Sequence, residues 1–172
     1  MRVFVFVSLF ATVVGTAAFA YEPYPFQRSD GKWGYVNDDH CWVIEPQFQF
    51  AYFYSEDLAV VAIGGKLGFI DKSGATIIQP QYEGAEWFSE GLAAVKIGEK
   101  WGFINKSGTL VINPQFDRAY RFSDGLAVFR IGGKWGLIDK KGAVVVNPGF
   151  DVNGKAKVGQ RAVQNVATLG LV

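Results

Sequence analysis

A spacing of 34 residues recurs along the chain and constrains its fold more than any other feature. Lys32, Lys66, Lys100 and Lys134 each open a Lys-x-Gly motif, and in three of the four the middle residue is Trp. The same spacing relates Ile44-Glu45-Pro46-Gln47-Phe48, Ile78-Gln79-Pro80-Gln81-Tyr82, Ile112-Asn113-Pro114-Gln115-Phe116 and the weaker Val146-Asn147-Pro148-Gly149-Phe150. It also relates Tyr54-Ser55-Glu56-Asp57-Leu58-Ala59, Phe88-Ser89-Glu90-Gly91-Leu92-Ala93 and Phe122-Ser123-Asp124-Gly125-Leu126-Ala127. Residues 66–99 set against 100–133 without a gap share 18 identities in 34 positions. A fixed period of this length marks a unit that stacks on copies of itself, because one unit alone cannot bury its apolar face.

Paired helices can also repeat at this length, but each unit here carries a Pro and several Gly and lacks an i, i+3, i+4, i+7 apolar stripe. Each unit instead reads as three short strands. The first, as in Trp101-Gly102-Phe103-Ile104, stops at Asn105-Lys106-Ser107-Gly108, a turn that calls for positive φ. The second, Thr109 to Ile112, ends at Asn113-Pro114, because proline donates no hydrogen bond to a ladder and restricts the residue before it. A loop is expected from Gln115 to Asp124. The third strand, Leu126 to Ile131, meets Gly132-Gly133, a hairpin signal that returns the chain to the next Lys-x-Gly.

Two-residue alternation puts Ala59, Val61 and Ile63, with Ala93, Val95, Ile97 and Ala127, Phe129, Ile131, on one expected core face; Ala62, Lys96 and Arg130 face the other way. Trp33, Leu67, Trp101 and Trp135 share a face with Tyr35, Phe69, Phe103 and Leu137. Gly34, Gly68, Gly102 and Gly136 carry no Cβ, which permits close approach of a neighbouring backbone or ring. The predicted fold class is all-β: tandem 34-residue β-hairpin repeats of about three strands each, forming an open solenoid or a propeller-like array, which periodicity does not separate. The divisions expected are an N-terminal cap strand at 21–31, repeats at 32–65, 66–99 and 100–133, a partial repeat at 134–155 and a degenerate C-terminal cap at 156–172.

Residues 1–20 read as a signal peptide. Met1-Arg2 supplies the positive start, Val3 to Val14 the apolar run, and Ala18-Phe19-Ala20 an Ala-x-Ala site, with cleavage expected near Ala20/Tyr21. A membrane anchor is the rival, but the stretch is at the lower limit for a span and is interrupted by Ser8, Thr12, Gly15 and Thr16. The expected mature chain is secreted or periplasmic and has no membrane span. Without Arg2, basic and acidic side chains are equal in number, so no electrostatic case for nucleic acid remains. The 49% hydrophobic content suits a buried core.

Lys-Trp-Gly-Phe-Ile-Asn-Lys-Ser-Gly at 100–108, Ile-Asn-Pro-Gln-Phe at 112–116 and Phe-Ser-Asp-Gly-Leu-Ala at 122–127 resemble one full unit of the WG-repeat, or KWG-repeat, family of bacterial exported proteins. The resemblance covers about residues 24–155. It implies a β-strand repeat protein of the cell envelope or exterior and supplies no catalytic residues to carry over. The chain departs from the pattern at Leu67, at Asp38-Asp39-His40-Cys41 and beyond Phe150.

No constellation points to catalysis, and no cofactor or metal site is expected. Asp39-His40-Cys41 is the one cluster that suggests a nucleophile and base, but in register His40 replaces a turn glycine, which favours a diverged hairpin. Cys41 is available for an intermolecular disulfide that would make a dimer, with a free thiol as the alternative. The acidic rows Glu56, Glu90, Asp124 and Glu83, Asp117, Asp151 lack the spacing of a calcium loop and read as turn residues paired with neighbouring cations. Variation concentrates after the Pro-Gln-aromatic motif, at Phe50, Gly84 and Arg118, at Tyr52, Glu86 and Tyr120, and at Phe53, Trp87 and Arg121. Aromatic and Arg side chains dominate binding hot spots. The candidate binding set is therefore Phe50, Tyr52, Phe53, Trp87, Arg118, Tyr120 and Arg121, with capping of the core as the competing role. The expected partner is an unidentified protein or, alternatively, a cell-envelope glycan stacked on these rings; a hydrolase is the least favoured reading.

Overall fold

The computed structural model describes residues 22–150, so the expected signal peptide and the C-terminal cap at 156–172 lie outside the described residues. Four small antiparallel sheets follow one another along the chain. The first holds β1 (Tyr24–Gln27), β2 (Trp33–Val36) and β3 (Trp42–Phe48). The second holds β4 (Phe50–Ala51), β5 (Ala59–Ile63), β6 (Lys66–Ile70) and β7 (Thr76–Tyr82). The third holds β8 (Gly84–Ala85), β9 (Leu92–Ile97), β10 (Lys100–Asn105) and β11 (Leu110–Phe116), and the fourth β12 (Arg118–Ser123), β13 (Leu126–Ile131), β14 (Lys134–Asp139) and β15 (Val144–Phe150). Strands pair only with chain neighbours inside their sheet, and the sheets do not close into a barrel, so the architecture is an open repeat array. β1 pairs with β2 from Tyr24↔Val36 to Gln27↔Trp33, which makes the segment before the first Lys-x-Gly the missing strand of that sheet.

Two expectations are corrected. The stretch from Gln115 to Asp124 is not a loop: it carries β12, which pairs with β13 from Arg118↔Arg130 to Ser123↔Leu126. Each full sheet therefore has four strands, and it starts just after the Pro-Gln-aromatic motif. The second correction concerns the core. Ala59, Val60 and Val61 are all fully buried, as are Ala93, Ala94 and Val95, whereas Ile63, Ile97 and Ile131 are exposed at the hairpin ends. A strand in the middle of a stack of sheets is covered on both faces, so alternation no longer separates inside from outside.

The three cores lie between successive sheets. Tyr35, Ile44 and Phe48 of the first sheet pack with Ala51, Ala59, Val61 and Ile70 of the second. On the other face of the second sheet, Leu58, Val60, Phe69, Ile78 and Tyr82 meet Phe88, Ala93, Val95 and Ile104 of the third. Ala94, Trp101, Phe103, Ile112 and Phe116 then meet Ala119, Phe122, Ala127, Phe129 and Ile138 of the fourth. Each middle sheet buries side chains on both faces, so successive layers pack without a gap.

Polar groups join the layers at the same period. The Glu56 carboxylate accepts from the Gly91 N–H at 3.0 Å and faces Lys106 Nζ at 3.2 Å. Glu90 repeats this with the Gly125 N–H at 3.0 Å and Lys140 Nζ at 3.3 Å. The expected pairing with neighbouring cations holds at Glu56 and Glu90, and the backbone N–H groups are added to it.

The motif glycine has a steric cause. A Cβ on Gly34, Gly68, Gly102 or Gly136 would lie 2.4, 2.6, 2.5 or 2.7 Å from the carbonyl oxygen of Ile44, Ile78, Ile112 or Val146. The approach arises where the edge strand bulges: Trp33 pairs with Phe48 but Tyr35 with Ile44. The Pro sits inside that bulge, where no N–H is required by the ladder, so the edge strand runs past it rather than ending before it. At the outer turns, a Cβ on Gly74, Gly108 or Gly142 would come within 3.3 or 3.4 Å of Ile44, Ile78 or Ile112 of the preceding sheet. His40 holds the equivalent place in the first sheet at φ 59, and its ring packs against Tyr24 and Phe26 instead. Among the described residues no sheet precedes it, so a side chain is tolerated where the other units need Gly.

Candidate functional site

The strands β4, β8 and β12 form one edge of their sheets, and the seven residues singled out for binding lie on or just beyond them. Tyr52 and Glu86 extend the pairing by donating their N–H groups to Val60 and Ala94 carbonyls at 2.9 Å. This backbone attachment makes the site a set of edge strands and not a group of free loops.

From the first sheet to the fourth the side chains form a connected band. The Trp33 ring meets Phe50 with centroids 5.4 Å apart, and Phe50 meets Tyr52 edge-on at 4.7 Å. Tyr52 reaches Trp87 of the third sheet at 6.2 Å, and the Arg121 guanidinium of the fourth lies 4.8 Å over the Trp87 ring. Beside it Arg118 lies 4.5 Å over Trp101 and 5.1 Å over Tyr120. Tyr120 stacks on Trp135 at 5.9 Å, and Arg130 covers Trp135 at 5.5 Å. Phe53 is the most exposed large apolar residue of the described chain at 67%.

Three groups in this band were not singled out from sequence as part of a site. Trp33, Trp101 and Trp135, assigned to the structural ladder, supply the rings on which the band is built. Arg130, assigned only to the outward face, lies opposite Arg118 across β12 and β13. Glu86 accepts from Arg118 at 3.1 Å, and its burial pushes its carboxyl above the ordinary value despite both nearby arginines. The 34-residue spacing places the motif tryptophans in the constant frame and gives no signal that they touch the variable positions.

Leu67 marks a change in the band. Its unit has Gly84 at the edge position, and a Cβ there would lie 2.9 Å from the Trp101 ring. Trp101 thus lies over Gly84 on its own sheet and under Arg118 of the next, which leaves it buried while Trp33 and Trp135 remain half-buried. Leu67 itself packs at the margin of the second core.

The other candidates are dispersed. Cys41 is exposed with no disulfide partner among the described residues, and His40 adopts the left-handed turn conformation at φ 59. Glu83 and Asp117 each hold a hairpin turn, accepting from the Gly98 and Gly132 N–H groups and pairing with Lys66 and Lys100. Among the described residues no group of three potential ligands could hold a metal ion, and no helix is long and apolar enough to cross a membrane.

Four sheets built on one pattern and following one another along the chain define an all-β repeat protein. The WG containing repeat matches residues 33–66, 68–101, 101–135 and 135–152, and the chain belongs to that family. Comparison with curated proteins gives no match.

Proposed function

We propose that this WG-repeat protein is a non-catalytic, exported interaction module of the bacterial cell envelope, and that it binds another protein through the edge band. The single observation that carries the reading is the continuity of that band from Trp33 to Trp135 across all four sheets. Export rests on the apolar start and Ala-x-Ala site of residues 1–20. A rigid layered frame holds the side chains in place, so little conformational entropy is lost when they are covered.

A protein partner is favoured over a glycan by what covers the rings. Sugar stacking needs an open aromatic face, whereas Trp87, Trp101 and Trp135 each carry a guanidinium over that face. Mixed Arg, Tyr and Trp surfaces suit protein hot spots. The test is photo-crosslinking from position 53 in the producing cell, beside co-sedimentation with protein-free cell-wall polymer. A discrete protein adduct that disappears in a folded Phe50→Ala/Tyr52→Ala variant is expected. Saturable polymer binding that disappears in the same variant would replace this reading with the glycan one.

A further inference from the structure

We infer that the band takes an extended polypeptide segment carrying an aromatic or proline residue and, about three residues away, a pair of carboxylates. This deepens the protein-binding reading and rests on it. The band differs chemically from one end to the other. At the first and second sheets it is apolar, with Phe50, Tyr52 and Phe53 exposed at 37%, 38% and 67%. Adjacent exposed apolar groups of this kind mark a surface that gains from being covered. At the fourth sheet it is cationic, with Arg118, Arg121 and Arg130 close together.

The cations are poorly compensated. Arg118 and Arg130 are direct cross-strand partners, an arrangement in which like charges repel. Glu86 offsets Arg118 at 3.1 Å. Arg121 and Arg130 have no ion-pair partner among the described residues, and the Arg130 Nε is buried without a hydrogen bond. Asp117, whose carboxyl Arg130 helps to lower, is already held by Lys100 and by the Gly132 N–H. The Arg121 and Arg130 guanidinium groups lie over the Trp87 and Trp135 rings, and a guanidinium donates to a carboxylate bidentately through its in-plane N–H groups.

The spacing follows from the contacts within the band. The Tyr52 ring lies 6.2 Å from Trp87 and the Arg121 guanidinium 4.8 Å over Trp87, which puts Arg121 within about 11 Å of Tyr52. An extended chain covers that distance in about three residues at about 3.3 Å each.

The test uses fluorescein-labelled peptides of about ten residues, one carrying Trp, a Gly-Ser spacer of about three residues and Asp-Asp, the other ending in Lys-Lys. Fluorescence anisotropy with the purified protein should show the Asp peptide binding at least about tenfold more tightly, with an advantage that shrinks as salt rises. Arg121→Glu should reverse the order of the two peptides, and Phe53→Ala should weaken the Asp peptide severalfold. Circular dichroism establishes that each variant is folded, and Arg121→Gln, which should abolish the preference, serves if Arg121→Glu is not. Equal binding of the two peptides, binding of neither, or an unchanged order in the Arg121 variants overturns the inference. A crosslinked protein partner together with failure of the Asp peptide removes this inference alone; failure of both, or binding of cell-wall polymer only, removes the protein-binding reading as well.

Discussion

The Ser55 hydroxyl donates a 2.7 Å hydrogen bond to the Phe88 carbonyl 33 residues further on, and Ser89 does the same to Phe122. Each bond crosses from one sheet to the next and satisfies a backbone carbonyl that follows a buried ring. The invariable part of the Phe-Ser-x-x-Leu-Ala motif is thus a rivet between layers. Ser89→Ala leaves the Phe122 carbonyl without this partner and should cost about 1–2 kcal/mol in urea denaturation. A loss below about 0.3 kcal/mol would show that water replaces the hydroxyl freely.

Gly102→Ala should be more damaging. Its Cβ would lie 2.5 Å from the Ile112 carbonyl oxygen and 2.8 Å from the Pro114 nitrogen, both backbone atoms of a bulge that cannot retreat without breaking its pairing. Overpacking of this kind predicts a loss of about 2–3 kcal/mol. Equal stability of variant and parent would mean that the bulge is soft.

Asp57 sits at φ 71 in a turn whose other copies carry Gly91 and Gly125 at the same place. A left-handed conformation is unfavourable for a residue with a Cβ, and Asp57 offsets it only with an exposed ion pair to Lys72. Asp57→Gly should therefore raise the melting temperature. A fall would show that the Lys72 pair, shared with Glu22, outweighs the backbone strain.

The pH dependence of Glu86 has a definite sign. Burial raises its carboxyl in the folded state, while Arg118 and Arg121 pull it down without prevailing. The folded protein holds this proton more tightly than the unfolded chain does, so the group's contribution to stability falls as pH rises from the ordinary glutamate value through its raised one. Glu86→Gln removes that dependence. The variant should gain on the parent between pH 4 and pH 7, measured by urea unfolding at each pH; a parent that gains on the variant across this interval would contradict the burial argument.

Much of the fold is legible in the chain because the same local demands recur at a fixed period. Gly64-Gly65 and Gly132-Gly133 adopt the positive φ that their hairpins need, and His40 takes the turn conformation of the glycines it replaces. The band is only partly legible. The period exposes Phe50, Tyr52 and Arg118 as variable against a constant frame, but it cannot show that Trp33 and Trp101 belong with them.

What the sequence determined by itself is the unit: its length, its turns, its β character and the positions at which units differ, all of which depend on residues close in the chain. What tertiary structure decided is which faces are inside. Ile63 is apolar and in register with Ala59 and Val61, yet it is exposed, while Val60 on the opposite face is buried. The reason is that each sheet is covered by a neighbour on both sides, and the reach of that cover depends on where the adjacent layer ends. The same stacking brings Arg121 over Trp87, two residues with no local relation, and so creates the surface on which the proposed function rests.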